Sequence, residues 1–292
     1  MSFFNRLILQ CRSGFEKEVA AEITDQCAVH GIYGYCTLNQ GDGYLSFHFS
    51  NEEEAKRAII EVNFSSLIFV RQWCLTGDSL QLDAQDRISP IVDLLNDFPT
   101  CCDVWVEYPD TTDGREMGTF SRKFGSALAQ SLRKKGILQN AKPEEAVRLL
   151  LFALSGNEIF VGYAPVRNSA ASILGISRLK FPKDAPSRST LKLEEAWHWF
   201  IPKKEWDDRI PFGSTAVDLG AAPGGWTWQL VNRSMFVTAV DNGPMQPALM
   251  ESGQVKHVQE DAYRFIPADG VTLMVCDVVD KPSKTATLAA DW

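Results

Sequence analysis

Apolar and polar positions along the chain fall into two alternating periodicities. Leu7, Ile8 and Leu9 form an unbroken apolar run that predicts a strand. Ser13-Gly14-Phe15-Glu16 then reads as a capping-box start for a helix. Phe15, Val19 and Ile23 follow four apart and give that helix one buried stripe. After the turn signal Gly41-Asp42-Gly43, Leu45, Phe47 and Phe49 alternate with Tyr44, Ser46 and His48, the pattern of a half-buried strand. Asn51 and the acids at 52–54 cap a second helix to about residue 60, and residues 65–73 (SSLIFVRQW) predict another strand. With one more strand between the helices the order is β-α-β-β-α-β, a ferredoxin-like unit over residues 1–80. Nothing catalytic clusters in it, so it reads as a scaffold.

A second segment, 81–175, predicts a helix at 91–95, a strand at 103–108, a helix at 121–135 and apolar elements at 147–154 and 159–163. Proline and lysine then gather at 181–186, within a linker placed at 176–190. Ser187, Ser189 and Thr190 offer hydroxyl caps to a helix over 191–199, with Glu194 and Glu195 near its positive end. Strands at 215–217, 235–240, 255–259 and 271–276 follow in an open α/β arrangement over 191–292.

Bulk properties narrow the class. A length of 292 residues suits about two domains, and an apolar fraction of 45% with 23% charged residues is that of an ordinary globular protein. No apolar run is long enough to span a bilayer. Seven cysteines, with no C-x-x-C pair, argue for free thiols and a cytoplasmic location, and four scattered histidines make no zinc pattern. The net charge of −8 disfavours nucleic acid as a partner unless local patches provide for it. Two acid-free runs do: 121–142 carries Arg122, Lys123, Arg133, Lys134, Lys135 and Lys142, and 159–183 carries Arg167, Arg178, Lys180 and Lys183, with Phe124 and Phe181 among them. They predict one continuous RNA-backbone face.

The chemistry centres on residues 217–226 (VDLGAAPGGW), an apolar strand end, an acid, a glycine-rich turn and a helix start. Such a turn sets backbone N–H groups over the carboxyl end of a parallel strand, and Gly220, Gly224 and Gly225 present no Cβ to an approaching ligand. The spacing is not G-x-G-x-x-G. It resembles instead motif I of S-adenosylmethionine (SAM)-dependent methyltransferases, in the form used by ribose 2′-O-methyltransferases. An acid stands at or near the carboxyl end of each of four successive strands: Asp218, Asp241, Asp261 and Asp277. Asp241 is placed for a ribose hydroxyl pair, Asp261 for an adenine amino group, and Asp218 and Asp277 for the amino-acid end and the sulfonium. Any one of them alone could simply cap a strand end. Lys192 and Asp277 are the candidate pair for handling the proton of a ribose hydroxyl, provided that burial or a second cation tunes the lysine.

Residues 187–196 (SRSTLKLEEA), 218–227 (DLGAAPGGWT), 240–245 (VDNGPM) and 275–279 (VCDVV) resemble the bacterial large-subunit ribosomal RNA cytidine 2′-O-methyltransferase M (RlmM) family, and the similarity runs from the first strand to the last residue. The resemblance implies a THUMP-type RNA-binding region, here over 81–175, before a Rossmann-like catalytic domain. It implies methylation of one cytidine of 23S rRNA, unassembled or in an early large-subunit precursor. By position it implies SAM contacts from Ser189, Ala222, Pro223, Gly224, Gly225, Asp241, Asp261 and Asp277, and catalytic roles for Lys192 and Asp277. Family members continue further and supply a second lysine, the proton acceptor, and a glutamate; Lys281 and Lys284 come too soon after the fourth strand to match that lysine. The expectation is therefore an incomplete Rossmann-like domain, with Leu273 and Val275 on an unpaired apolar edge, that binds SAM weakly and does not turn over. Two other readings are a non-catalytic RNA- or SAM-binding module and a nicotinamide-dependent enzyme.

Overall fold

A computed structural model describes residues 4–95, 98–140 and 146–292, so that Lys142 of the first basic run lies outside the described residues. The chain forms two compact units, Met1–Ser177 and Arg178–Trp292.

The first unit opens with β1 (Arg6–Gln10), α1 (Glu16–Val29), β2 (Gly34–Leu38), β3 (Tyr44–Phe49), α2 (Glu52–Glu61) and β4 (Gln72–Thr76), the ferredoxin-like order. It continues through β5 (Leu80–Gln81), α3 (Ser89–Leu94), β6 (Cys101–Glu107), α4 (Thr112–Lys134), β7 (Val147–Ala153) and β8 (Glu158–Pro165). Both segments share one sheet, ordered β2-β3-β1-β4-β8-β7-β6, with β5 on β8. Among the described strands of this sheet, β6 and β7 are the pair that runs parallel. The stripe of α1 is Val19, Ile23 and Cys27, which pack with Leu7, Leu9, Leu45 and Phe47 in one core. A second core gathers Phe124, Leu128 and Leu132 of α4 with Leu149, Leu151 and Val161.

Five local expectations are corrected. Ser13 does not cap α1: Phe15 is the N-cap, and the Ser13 hydroxyl donates to the Gly41 carbonyl at 2.8 Å. The buried Glu16 carboxylate reaches back to the N–H groups of Gly14 and Gly43 instead. Phe15 begins no buried stripe, being 37% exposed. The strand expected at 65–73 is β4, several residues later, because Asn63 draws Phe64–Ser66 into a 3-10 turn and Glu22 takes the N–H groups of Ile68 and Phe69. The helix expected from 121 begins at Thr112, where the Thr111 hydroxyl accepts the Gly114 N–H. Phe124 is therefore no RNA-facing aromatic: it is buried and stacks on Phe120 at 5.3 Å.

The second unit contains α5 (Thr190–Phe200), α6 (Trp206–Arg209), β9 (Thr215–Leu219), α7 (Gly225–Asn232), β10 (Phe236–Val240), α8 (Pro247–Glu251), β11 (Val255–Val258), β12 (Leu273–Cys276) and α9 (Pro282–Ala290). Its four strands run parallel in the order β11-β10-β9-β12. Among the described residues no helix is long and apolar enough to cross a membrane, and no group of side chains could hold a metal ion. All seven cysteines are free.

Candidate active site

Motif I folds as strand, turn and helix because each part meets a local demand. Asp218 lies within β9, fully buried, and its Oδ2 accepts the Thr227 hydroxyl at 2.6 Å. Thr227 is the third residue of α7, so the carboxylate sits against the positive end of that helix. The other oxygen, Oδ1, is buried without a partner. Burial pushes the Asp218 carboxyl up to about 7, the Thr227 bonds oppose this, and the Asp277 and Asp241 charges add to it. The turn carries positive φ at Gly220 (76°) and Gly224 (113°), and the Ala222–Pro223 peptide is cis.

The glycines are also needed by the chain itself. A Cβ on Gly220 would meet Val278, one on Gly224 would meet Leu249, and one on Gly225 would meet the Ser189 hydroxyl. Gly224→Ala is therefore expected to destabilise the second unit by about 1–3 kcal/mol, through left-handed strain and overpacking. Chemical denaturation checks this, and a midpoint equal to wild type would contradict it.

Parallel register brings the acids to one level. Ala239, Asp218 and Val275 are neighbours across β10, β9 and β12, and Val240, Leu219 and Cys276 form the next row. Asp241, Gly220 and Asp277 follow that row directly, and the Asp277 N–H still donates to Leu219 O at 3.1 Å. Asp241 is fixed by accepting the Ala222 N–H at 3.0 Å and the Gly243 N–H at 2.7 Å, while His257 Nε2 lies 2.9 Å from the Asp241 carbonyl. Asp261 stands apart: it is exposed, beyond the end of β11, and accepts the Tyr263 N–H at 2.9 Å.

Lys192, in the first turns of α5, places Nζ 2.9 and 3.0 Å from the two oxygens of Asp277. Its side chain is 62% exposed against 28% for Asp277, so the pair lies at the surface end of the strands rather than in the core. The hydroxyls before α5 do not cap it either. Ser187 and Ser189 bond each other at 2.6 Å, and Thr190 donates to the Gly225 carbonyl at 2.9 Å. Trp226 Nε1 donates to Ser189 O at 2.9 Å, so this segment is stitched to the motif I turn. Ala222 and Pro223 sit on the same turn, half-buried and exposed. Lys284 pairs with Asp280 at 3.1 Å, and Lys281 stands at the N-cap position of α9 without a side-chain capping bond. The roles of Thr227 and His257 were missed in the sequence, and Thr190 was read as a helix cap; Thr227, inside the motif, carried a readable signal.

Three carboxylates and an orphaned buried oxygen beside a turn suit a ligand that carries positive charge, and SAM carries both an ammonium and a sulfonium. They suit a dinucleotide less well, because a pyrophosphate at this helix start would add negative charge beside the Asp218 carboxylate. Asp241→Ala is expected to weaken SAM binding by about 1–3 kcal/mol, since the Ala222 and Gly243 N–H groups also lose their acceptor. Calorimetry showing wild-type affinity would remove Asp241 from the site.

An open parallel sheet with motif I and a strand-end Asp–Lys pair defines a SAM-dependent methyltransferase domain. Residues 185–290 match the FtsJ-like methyltransferase family, residues 4–74 the RlmM ferredoxin-like domain, and residues 86–165 the N-terminal domain of ribosomal RNA large subunit methyltransferase M. The protein of that name from Ectopseudomonas mendocina (strain ymp) is 51% identical over 290 residues, covering 99% of this chain and 81% of the relative. The one from Stutzerimonas stutzeri (strain A1501) is 50% identical over 288 residues, covering 99% and 82%. Among solved structures, TrmN from Thermus thermophilus covers 97% of this chain and 81% of its own at 15% identity and a TM-score of 0.37, too distant to bear on the site. The chain belongs to the ribosomal RNA large subunit methyltransferase M family.

Proposed function

We propose that the protein is a SAM-dependent rRNA methyltransferase that methylates a ribose 2′-hydroxyl, that of a cytidine in 23S rRNA before or early in large-subunit assembly. The observation that carries the chemistry is the Lys192–Asp277 pair, set at the level of Gly220 and Asp241. SAM, when bound, supplies a methyl group activated by its sulfonium. The chain's part is alignment and proton handling. Lys192 holds the attacking oxygen by donating an N–H, and Asp277 fixes that ammonium. With SAM bound, the Asp277 carboxylate would be placed to take the hydroxyl proton, beside the Lys192 ammonium. Ser189, Ala222, Pro223, Gly224, Gly225 and Asp241 line the cofactor side, with Asp261 at its far end.

The RNA is held by the N-terminal unit and the linker. Arg122, Lys123, Arg133, Lys134 and Lys135 are all exposed on α4, opposite its buried Ser121, Leu128 and Leu132. Arg167, Arg178, Lys180 and Lys183 are exposed as well. A purely binding module has no use for an assembled Lys–Asp pair, and the relatives' shared name is that of an enzyme. The test is methyl transfer from labelled SAM to deproteinised 23S rRNA. The label is expected at one cytidine, which becomes resistant to alkaline cleavage. Label on a base, or none, would overturn the assignment.

A further inference from the structure

A cavity of about 620 Å³ opens in the N-terminal unit. Arg12, after β1, and Arg71, before β4, line it together with Thr112, Asp113 and Arg115 from the first turn of α4 and the preceding Asp110. Three arginines against two aspartates leave a positive balance, in a chain of net charge −8. The aspartates are not equivalent. Asp110 takes Arg71 at 2.6 Å and Arg115 at 3.5 Å, so it braces the two guanidinium groups. Asp113 is exposed and makes no ion pair among the described residues. The Arg12 guanidinium has no hydrogen bond or ion pair there either, and only lies 5.9 Å over the Phe15 ring. Thr112 and Asp113 carry the first amides of a 23-residue helix, which precede its intrahelical bonds, and so add partial positive charge.

The lining holds arginine, aspartate, serine, threonine and glycine, with no apolar or aromatic side chain. A nucleobase or an acyl chain would find no wall to pack on, whereas a phosphate would find planar guanidinium forks that match its oxygens. Arg115 and Arg122 lie seven residues apart on α4, about 10 Å along the same side of the helix. Arg115 thus lies on the same side of α4 as Arg122 of the exposed basic run.

We propose that this cavity binds a backbone phosphate of the RNA substrate, with Arg12 and Arg115 donating to its oxygens and Asp110 holding Arg71 and Arg115 in place. The contact reads charge, not sequence, and anchors the RNA at the start of α4. It rests on the reading that RNA is the substrate, and the experiment separates the two.

The measurement is the affinity of the intact protein for a 23S rRNA fragment over a series of salt concentrations, with SAM affinity as the control for folding. Arg12→Gln combined with Arg115→Gln is expected to weaken RNA binding about tenfold and to lower the salt slope by about one, the share of one phosphate. SAM affinity stays at the wild-type value. Asp113→Asn is expected to tighten RNA binding several-fold, a gain that loss of structure does not produce. RNA affinity within about twofold of wild type in the double variant, with an unchanged slope, overturns the proposal. Loss of inorganic phosphate binding without loss of RNA affinity assigns the cavity to a free anion and overturns it too. Failure of the wild-type protein to bind the rRNA fragment at all instead overturns RNA as the substrate, and this contact with it.

Discussion

Replacing Lys192 with methionine in the natural protein is expected to slow methyl transfer to 23S rRNA by about 10²–10⁴-fold, the usual range for a group that handles a proton or aligns a nucleophile. SAM affinity is expected to hold, because the lysine's bonds go to Asp277 and not to the motif I turn. The loss should therefore fall on kcat. Methionine keeps the aliphatic stem but leaves Asp277 without its cation. Asp277→Asn keeps the shape and loses the charge, so the rate should fall similarly and SAM should bind less tightly. Arginine at 192 should not rescue, since its planar fork cannot put a point charge where Nζ lies between the two carboxylate oxygens. Single-turnover kinetics with rRNA decide the matter. A Lys192→Met rate within about tenfold of wild type would show that alignment alone suffices and that this pair is only a surface ion pair.

The second large effect concerns pH. Burial raises the Asp218 carboxyl in the folded protein from 3.8 to about 7. The folded state therefore binds this proton more tightly than the unfolded chain. The resulting stability is complete below about pH 4 and is lost as pH rises through 7, on the order of 4 kcal/mol at most. Asp218→Asn should remove that slope. Glu107, fully buried in the other unit, is also pushed up to about 7 by burial and acts in the same direction, so the informative quantity is the difference between wild type and variant. A cationic ligand reverses the preference, because it favours the ionised carboxylate. SAM affinity should then rise about tenfold from pH 6 to pH 8, following the ionised fraction of Asp218. Titration calorimetry at the two pH values tests this; equal affinities would mean that Asp218 stays in one protonation state throughout.

What was legible in the sequence was what is local. The strand-turn-helix of motif I follows from Val217, Asp218 and the glycines alone, and Asn51 caps α2 as its position suggests. The ferredoxin-like order was readable from its apolar runs, although the alternation of Leu45, Phe47 and Phe49 does not carry through to burial, since Ser46 is buried too. Two of the misplacements share one cause, a polar side chain answering a distant backbone group. Glu16 serves Gly43, Glu22 serves Ile68 and Phe69, and no spacing rule anticipates either. The start of α4 was missed because residues 112–120 (TDGREMGTF) contain two glycines and little apolar periodicity. At the site, Asp218, Asp241 and Asp277 meet because parallel register aligns them, which four strand-end acids did suggest. That the glycines make room for Val278, Leu249 and Ser189 was not readable, since it depends on loops folding back over the turn.

Residues 4–74 and 86–165 match separate family models, yet one sheet runs through both. The seam is β4, which pairs with β1 along five residues and with β8 at Leu75 and Thr76. Gly162 of β8 comes so close to the Leu75 carbonyl that a side chain there would collide with it. A crossover near residue 80 between divergent homologues would have to match both halves of that seam at once, whereas one near residue 178 cuts no strand. Inheritance should accordingly treat the first two modules as a single cassette, exchanged or lost together.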